Sequence, residues 1–187
     1  MEIKDILKNH PVIGVVGNYK STLNTSKKVK DLNIKNVNMA LKMVTLDDSF
    51  LDKKLNDLSI SELWKVELAT KLDQDIIIIG NMNNSLIHKE RDYMKKLFKK
   101  LSNSYNKKIV LIDNNVNSFI NVVEKVLVIN NKEIIYITDN YFDKDLYQYI
   151  KMPKIIEFIN YVNKDEIKVD KTTEIYELLK DIYRRVS

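Results

Sequence analysis

Hydrophobic positions along the chain follow two alternating modes. Short apolar runs, Val12 to Val16, Ile76 to Ile79 and Ile109 to Ile112, are separated by stretches in which apolar residues recur every three or four positions. The runs predict strands covered on both faces and the wider spacing predicts amphipathic helices, an alternation that belongs to a parallel sheet flanked by helices. Helices are expected near 38–44, at 61–72 with Leu63, Val66, Ala69 and Leu72 on one face, and over about 88–103. Two further runs, Lys125 to Ile129 and Glu133 to Ile137, flank Asn130 and Asn131. That pair tolerates positive φ and suits a tight hairpin. Beyond residue 140 the pattern turns helical, with one segment at Lys154 to Val162 after Pro153 and another from Thr173 to Val186. The expected organisation is an α/β core over residues 1–140 and an α-helical C-terminal extension over 141–187, in one compact unit.

Composition removes several function classes. With 44% apolar and 30% charged residues the chain is an ordinary globular one. The absence of cysteine excludes disulfides, thiolate zinc sites and thiol nucleophiles. No apolar run approaches the ~18 residues of a membrane span, and the first ten residues lack a signal-peptide core, so the expected place is the cytoplasm. The net charge of +5 is spread along the chain, with 10 basic against 7 acidic groups over 1–60, 12 against 10 over 61–140, and 9 against 9 over 141–187. No basic arm points to nucleic acid. The densest cluster, Lys95, Lys96, Lys99 and Lys100, falls among Met94, Leu97, Phe98 and Leu101 at helical spacing and reads as a solvated helix face rather than a phosphate-binding stripe. Only three glycines are present, Gly14, Gly17 and Gly80. Any chemistry that needs a glycine-rich loop must therefore be built around two of them.

The first strand runs into Gly14-Val15-Val16-Gly17-Asn18-Tyr19-Lys20-Ser21-Thr22-Leu23. A strand, a turn and a hydroxyl-rich helix start form the setting of a phosphate-binding loop, in which backbone N–H groups cradle phosphates, a lysine reaches the terminal ones and a Ser/Thr holds magnesium. Gly17, Asn18, Lys20, Ser21 and Thr22 are the nucleotide-binding candidates. Against the full pattern G-x-x-x-x-G-K-[ST], counting from Gly17 leaves the loop three residues short, while counting from Gly14 places Tyr19 where the last glycine belongs. An ordinary strand-to-helix turn with a solvated Lys20 is the competing reading.

Downstream, Leu58-Ser59-Ile60-Ser61-Glu62-Leu63-Trp64-Lys65-Val66-Glu67-Leu68-Ala69 precedes Asp75-Ile76-Ile77-Ile78-Ile79-Gly80-Asn81-Met82-Asn83-Asn84-Ser85-Leu86. This order resembles the ATP-binding cassette (ABC) ATPases, whose signature L-S-G-G-Q is followed by an apolar strand ending in Asp-Glu. Ile109 to Asn115 sits where that family has its switch-histidine strand, and Val123 to Ile135 is similar to its hairpin. Thr45 to Lys54, Met152 to Phe158 and Thr172 to Leu179 narrow the resemblance to the energy-coupling factor and cobalt-importer subunits. The resemblance implies a P-loop NTPase-like fold with a mainly parallel sheet flanked by helices, a truncated N-terminal antiparallel β region and an α-helical C-terminal tail. It also implies ATP with Mg2+ as the ligand.

At the chemical positions the chain departs from that family. The magnesium-organising aspartate and the water-polarising glutamate correspond to Gly80 and Asn81, and the switch histidine to Asn114. The signature glycines are Ile60 and Ser61, leaving Ser59, Ser61 and Glu62 as signature-like residues. Leu58 follows Lys20 by only 38 positions, a stretch without glutamine, so the loop that couples nucleotide to a membrane subunit is expected to be missing. The implied role is a degenerate ABC transporter subunit with weak or absent ATP binding and hydrolysis, not a competent ATPase alone. Its implied partners are an intact ABC ATPase subunit and a membrane transport subunit at the inner face of the cell membrane, with a homodimer as a further arrangement. A free-standing regulatory or protein-binding module that keeps the fold is the alternative.

Several features also have purely structural readings. Ser59 and Glu62 have the spacing of a capping box, which starts a helix whether or not nucleotide approaches. His10 and His88 read as surface or helix-end residues, Trp64 as core packing, and the tyrosines of the tail as packing for its helices.

Overall fold

A computed structural model describes residues 2–164 and 168–186. Five strands, β1 (Val12–Val16), β2 (Ile76–Gly80), β3 (Lys108–Asp113), β4 (Lys125–Asn130) and β5 (Glu133–Thr138), form one sheet in the order β2-β3-β1-β4-β5. The first four are mutually parallel and β5 pairs antiparallel with β4. The helices are α1 (Ile3–Asn9), α2 (Val37–Met43), α3 (Ile60–Ala69), α4 (Met82–Ser85), α5 (His88–Tyr105), α6 (Lys154–Val162) and α7 (Ile175–Val186). Both the expected fold class and the ends of the expected strands, to within a residue or two, are present. Ahead of β1 the described chain is the helix α1, with no antiparallel strand.

Alternation along each strand divides the interior. Val12 of β1, Ile77 and Ile79 of β2, and Ile109 and Leu111 of β3 face the larger core, with Trp64, Phe98 and Phe119 beneath them. Ile13, Val15, Val110 and Leu127 face the other way and are covered by Ile6 and Leu7 of α1. Gly14 is required by this packing, because a Cβ there would lie 2.8 Å from the Phe119 ring. The sheet therefore has one thick layer of helices below it and a single short helix above.

Three sequence expectations are corrected by local geometry. The hairpin turn lies one residue later than expected: Asn131 and Lys132, with φ of 47° and 68°, are its central residues, and two consecutive positive φ values match the right-handed twist of the flanking strands. No helix follows β1. Residues 18–24 are irregular, with the Ser21 hydroxyl accepting from Leu23 N–H (3.3 Å) and the Asn24 side chain from Ser26 N–H (3.2 Å). Such local side-chain bonds offer the backbone a substitute for the helical ladder. Finally, Lys95 is not solvated: its ammonium donates to the carbonyls of Asn117 (2.9 Å) and Ile120 (2.8 Å).

In the C-terminal segment Leu146 and Ile150 belong to the main core, whereas Ile159, Val169 and Leu178 make a small cluster of their own between α6 and α7. Asp181 ties this part together, accepting from Asp170 N–H at 2.8 Å and pairing with Arg184 and Arg185.

Candidate functional site

Parallel strands deliver their following loops to one edge of the sheet, the usual location of a site in an open α/β fold. The loop after β1, Gly80 and Asn81 after β2, and Asn114 after β3 meet there. Gly17 N–H donates to the Asp113 carbonyl (3.1 Å), Asn114 Nδ2 donates to Asn18 Oδ1 (3.3 Å), and Asn81 Nδ2 donates to the Tyr19 carbonyl (2.8 Å). Gly17, Asn18, Gly80, Asn81 and Asn114 are thus brought together. Lys20, Ser21 and Thr22 are exposed on the irregular segment.

The centre of this edge is filled by Tyr19. Its hydroxyl donates to Glu67 Oε1 and accepts from the Lys71 ammonium, which also reaches Glu67 Oε1 (3.0 Å) and the Ile78 carbonyl (2.8 Å). A Cβ on Gly80 would collide with the Tyr19 Cβ and with the Ile112 carbonyl oxygen. The missing side chain at Gly80 is therefore the space through which the tyrosine passes on its way to α3. Trp64 closes the other side, its indole N–H donating to the Gly80 carbonyl at 2.7 Å. Burial, then the bond to Glu67 and its negative charge, push the Tyr19 phenol far above its ordinary value. The phenol is a fixed neutral donor at any physiological pH.

Beside the tyrosine, the carboxylate of Asp113 is buried at the end of β3. It accepts from the Ser118 hydroxyl (2.6 Å), from Asn115 N–H (3.0 Å) and from Asn83 N–H (3.4 Å). These bonds order the turns after β2 and β3. Glu67, Lys71 and Asp113 were not legible as site residues. Glu67 and Lys71 stand four apart where α3 runs out, a common helix pair, and nothing local links either to a tyrosine some fifty positions earlier.

The signature-like residues lie elsewhere. Ser59 is the N-cap of α3, its hydroxyl accepting from Glu62 N–H (3.3 Å) while Glu62 Oε2 accepts from Ser59 N–H (2.8 Å). The capping box expected from the spacing is formed, and these bonds, backbone first, lower the Glu62 carboxyl. The Ser61 hydroxyl donates to Glu90 Oε1 (2.9 Å), which also takes the buried Lys65 ammonium (2.5 Å), joining α3 to α5. Burial pushes the Glu90 carboxyl up, but the bonds from Lys65, Ser61 and Ile87 outweigh it and the net shift is downward. At ~1.5 Å per residue, Ser59 and Glu67 are about 12 Å apart along the helix, so the signature end and the tyrosine end of α3 are separate places. Of the remaining residues singled out in the sequence, Trp64 packs edge-on against Phe98 in the core, and His10 and His88 sit beside Glu124 and Asp92 at the surface. Among the described residues no group of three or more His, Asp or Glu could hold a metal ion, and no helix is long and apolar enough to cross a membrane.

No protein-family model matches the chain, and no curated protein matches it. Solved structures do. The ATP-binding cassette MJ0796, in a dimeric post-hydrolysis state bound to ADP and Pi, superposes with a TM-score of 0.54 at 18% identity over 74% of this chain and 67% of that one. A second dimeric structure of that bacterial ABC transporter cassette gives 0.51 at 20% identity over the same shares. A bacterial Atm1-family ABC exporter with ATP bound gives 0.55 at 12% identity, covering 78% of this chain and 28% of the exporter. At these identities the likeness is one of fold: the chain has the fold of an ATP-binding cassette ATPase, spanning about two thirds of the cassettes it matches.

Proposed function

We propose that this chain is a degenerate ABC transporter subunit, similar to the energy-coupling factor ATPases, that neither binds nor hydrolyses ATP at the ordinary cassette position. The observation that carries the reading is Tyr19 lying across Gly80. A cassette needs a phosphate cradle backed by a magnesium-organising aspartate and a water-polarising glutamate. Here the loop's own tyrosine fills the space, the aspartate position can carry no side chain, and the amide of Asn81 is spent on the Tyr19 carbonyl. The residues present do not fit Mg-ATP, because Lys20, Ser21 and Thr22 stand on an exposed irregular segment with no helix N-terminus behind them.

In this reading the chain acts by what it holds in place. An intact ATPase subunit pairs with it beside a membrane transport subunit at the inner face of the cell membrane, and the end of α3 capped by Ser59, with Ser61 and Glu62, is the surface offered to the partner's nucleotide. Residues 1–140 supply the cassette core and 141–187 the helical extension. The short connection between β1 and α3 favours a second reading, a free-standing regulatory or protein-binding module without a membrane partner.

The test is a thermal shift of the purified chain with Mg-ATP. A ligand at 100 times its Kd stabilises by about 2.7 kcal/mol, so a closed site predicts no Lys20-dependent shift at millimolar ATP. Turnover of Mg-ATP at an ordinary cassette rate, abolished by Lys20→Ala, overturns the proposal. Co-purification with an intact cassette ATPase and a membrane subunit separates the transporter reading from the free-standing one.

A further inference from the structure

Lys96, Lys99 and Lys100 are exposed, as a solvated helix face requires, yet the basic face of α5 also borders a concave surface. His88, Arg91, Asp92, Lys95, Lys96 and Lys99 recur at three- and four-residue spacing along one face of α5 and line a cavity of about 620 Å³ between that helix and the start of α7. The lining also includes the apolar and aromatic Ile120, Ile155, Ile175 and Tyr176, interspersed with polar groups from the 117–121 and 173–174 stretches. The volume falls within the ~300–1,000 Å³ of sites that enclose small molecules.

Charge in the cavity is unbalanced. Four basic side chains, Arg91, Lys95, Lys96 and Lys99, stand beside two carboxylates, Asp92 and Glu174. Both carboxylates are already engaged, Asp92 with His88 at 3.0 Å and Glu174 as acceptor from Asn121. Lys95 and Arg91 donate to backbone carbonyls, which leave their charge uncancelled. Lys96 and Lys99 make no ion pair among the described residues, so their ammonium groups are available. Burial, with Arg91 and Lys99 among the neighbouring charges, holds the Lys95 ammonium below its ordinary value. Cations concentrated in a partly enclosed cavity with low-dielectric walls raise the local potential for an anion.

We propose that this cavity is a binding site for a small organic phosphate with an apolar or aromatic body, the chemical class of nucleotides, its phosphates on Lys96 and Lys99 and its body against Tyr176 and Ile155. The pocket's limited volume, with cations of α5 beside apolar and aromatic groups, favours a small amphipathic anion over an extended acidic peptide. The site is distinct from the closed edge at Tyr19 and does not depend on the transporter reading.

Calorimetric titration of the full chain with ADP, without magnesium, tests it. The expected result is binding that weakens at least ten-fold in Lys96→Glu/Lys99→Glu, is unchanged by Lys20→Ala, and is at least ten-fold weaker for adenosine than for ADP. Circular dichroism of the double variant shows that the helix is intact. Absence of binding to millimolar ADP overturns the proposal, as does binding indifferent to the double substitution. ADP binding abolished by Lys20→Ala overturns it too, and separately refutes the closed-edge reading. Tighter binding of poly-glutamate than of ADP replaces the small phosphate by an acidic protein partner.

Discussion

Tyr19 crosses the face of Gly80, and the absence of a side chain at position 80 is what lets its hydroxyl reach Glu67 on α3 and Lys71 in the turn that follows α3. A residue larger than glycine at the end of β2 is excluded from two sides, since its Cβ would lie 2.2 Å from the Ile112 carbonyl oxygen and 2.3 Å from the Tyr19 Cβ. This crowding has a direct consequence for substitutions at position 80.

Gly80→Asp is expected to destabilise the chain by at least ~2 kcal/mol, since overpacking costs ~1–3 kcal/mol before a buried carboxylate is counted. It is expected to confer no ATPase activity. Urea unfolding and a phosphate-release assay check both. The double variant Tyr19→Ala/Gly80→Asp is expected to stay destabilised, because alanine keeps the Cβ at position 19 and the Ile112 carbonyl oxygen is untouched, both within 2.3 Å of the added Cβ.

The Tyr19–Glu67–Lys71 network is nearly sealed, with Glu67 and Lys71 side chains 4% and 12% exposed. Removing one partner leaves an uncompensated charge, a loss of ~3–5 kcal/mol for Lys71→Met or Glu67→Leu singly. Tyr19→Phe, which deletes only the hydroxyl, costs ~1–3 kcal/mol. The Glu67→Leu/Lys71→Met pair is expected to be far less damaging than the sum of its halves. A double-mutant cycle on urea midpoints measures this.

Alkali separates the tyrosines. Burial, with Asp143 adding to it, pushes Tyr136 up to about 12; burial also pushes Tyr147 up to about 12 and Tyr141 further still. With the Tyr19 shift, four phenols hold their protons more tightly folded than unfolded. Their contribution to stability is fully present below the ordinary phenol value near ~10 and falls as pH rises through the folded values. Absorbance at the tyrosinate band, titrated with and without urea, is expected to show a late group in the folded protein only, and Tyr19→Phe to shrink it.

Acid acts on the tail. The Asp170 N–H, then Arg185 and Arg184, hold the Asp181 carboxyl down at about 2. Its contribution is complete above the ordinary carboxylate value near ~4 and is lost as pH falls through about 2. Hydrogen exchange in α7 is expected to accelerate in that window while the strands stay protected. Asp181→Asn should produce the faster exchange already at neutral pH.

Ser59→Ala removes the hydroxyl half of the capping box and is expected to cost ~1 kcal/mol, with Ser59→Asp close to neutral. Thermal unfolding checks it. If Ser59 serves a partner's nucleotide as well, Ser59→Asp retains stability but lowers ATP turnover of the reconstituted complex.

How much of this was readable depends on the range of the forces involved. The strands were legible because short apolar runs can be little else, although Ile76 and Ile78 of β2, at the sheet edge, are exposed on one face rather than covered on both as the run of isoleucines suggests. The start of α3 was legible because Ser59 and Glu62 settle their own donors within one turn. Failures lie where neighbours decide. The hydroxyl-rich run after β1 looks like a helix start, yet Ser21 and Asn24 bond their own backbone and the helix does not form. Lys95 and Lys96 are adjacent residues on one helix, and nothing in the helical spacing says that only Lys95 donates to carbonyls of the 116–120 turn.

The sequence by itself determined the fold class, the order of its elements and the residues that close β2 and follow β3, Gly80, Asn81 and Asn114, because periodicity and residue type are local properties. What those residues do there belongs to the tertiary structure. Only the packing of β1's loop over β2 and against α3 brings Tyr19, Gly80, Glu67 and Lys71 to one point. Steric exclusion and buried charge pairing are then felt between residues as far apart in the chain as Tyr19 and Gly80, at separations no sequence pattern encodes.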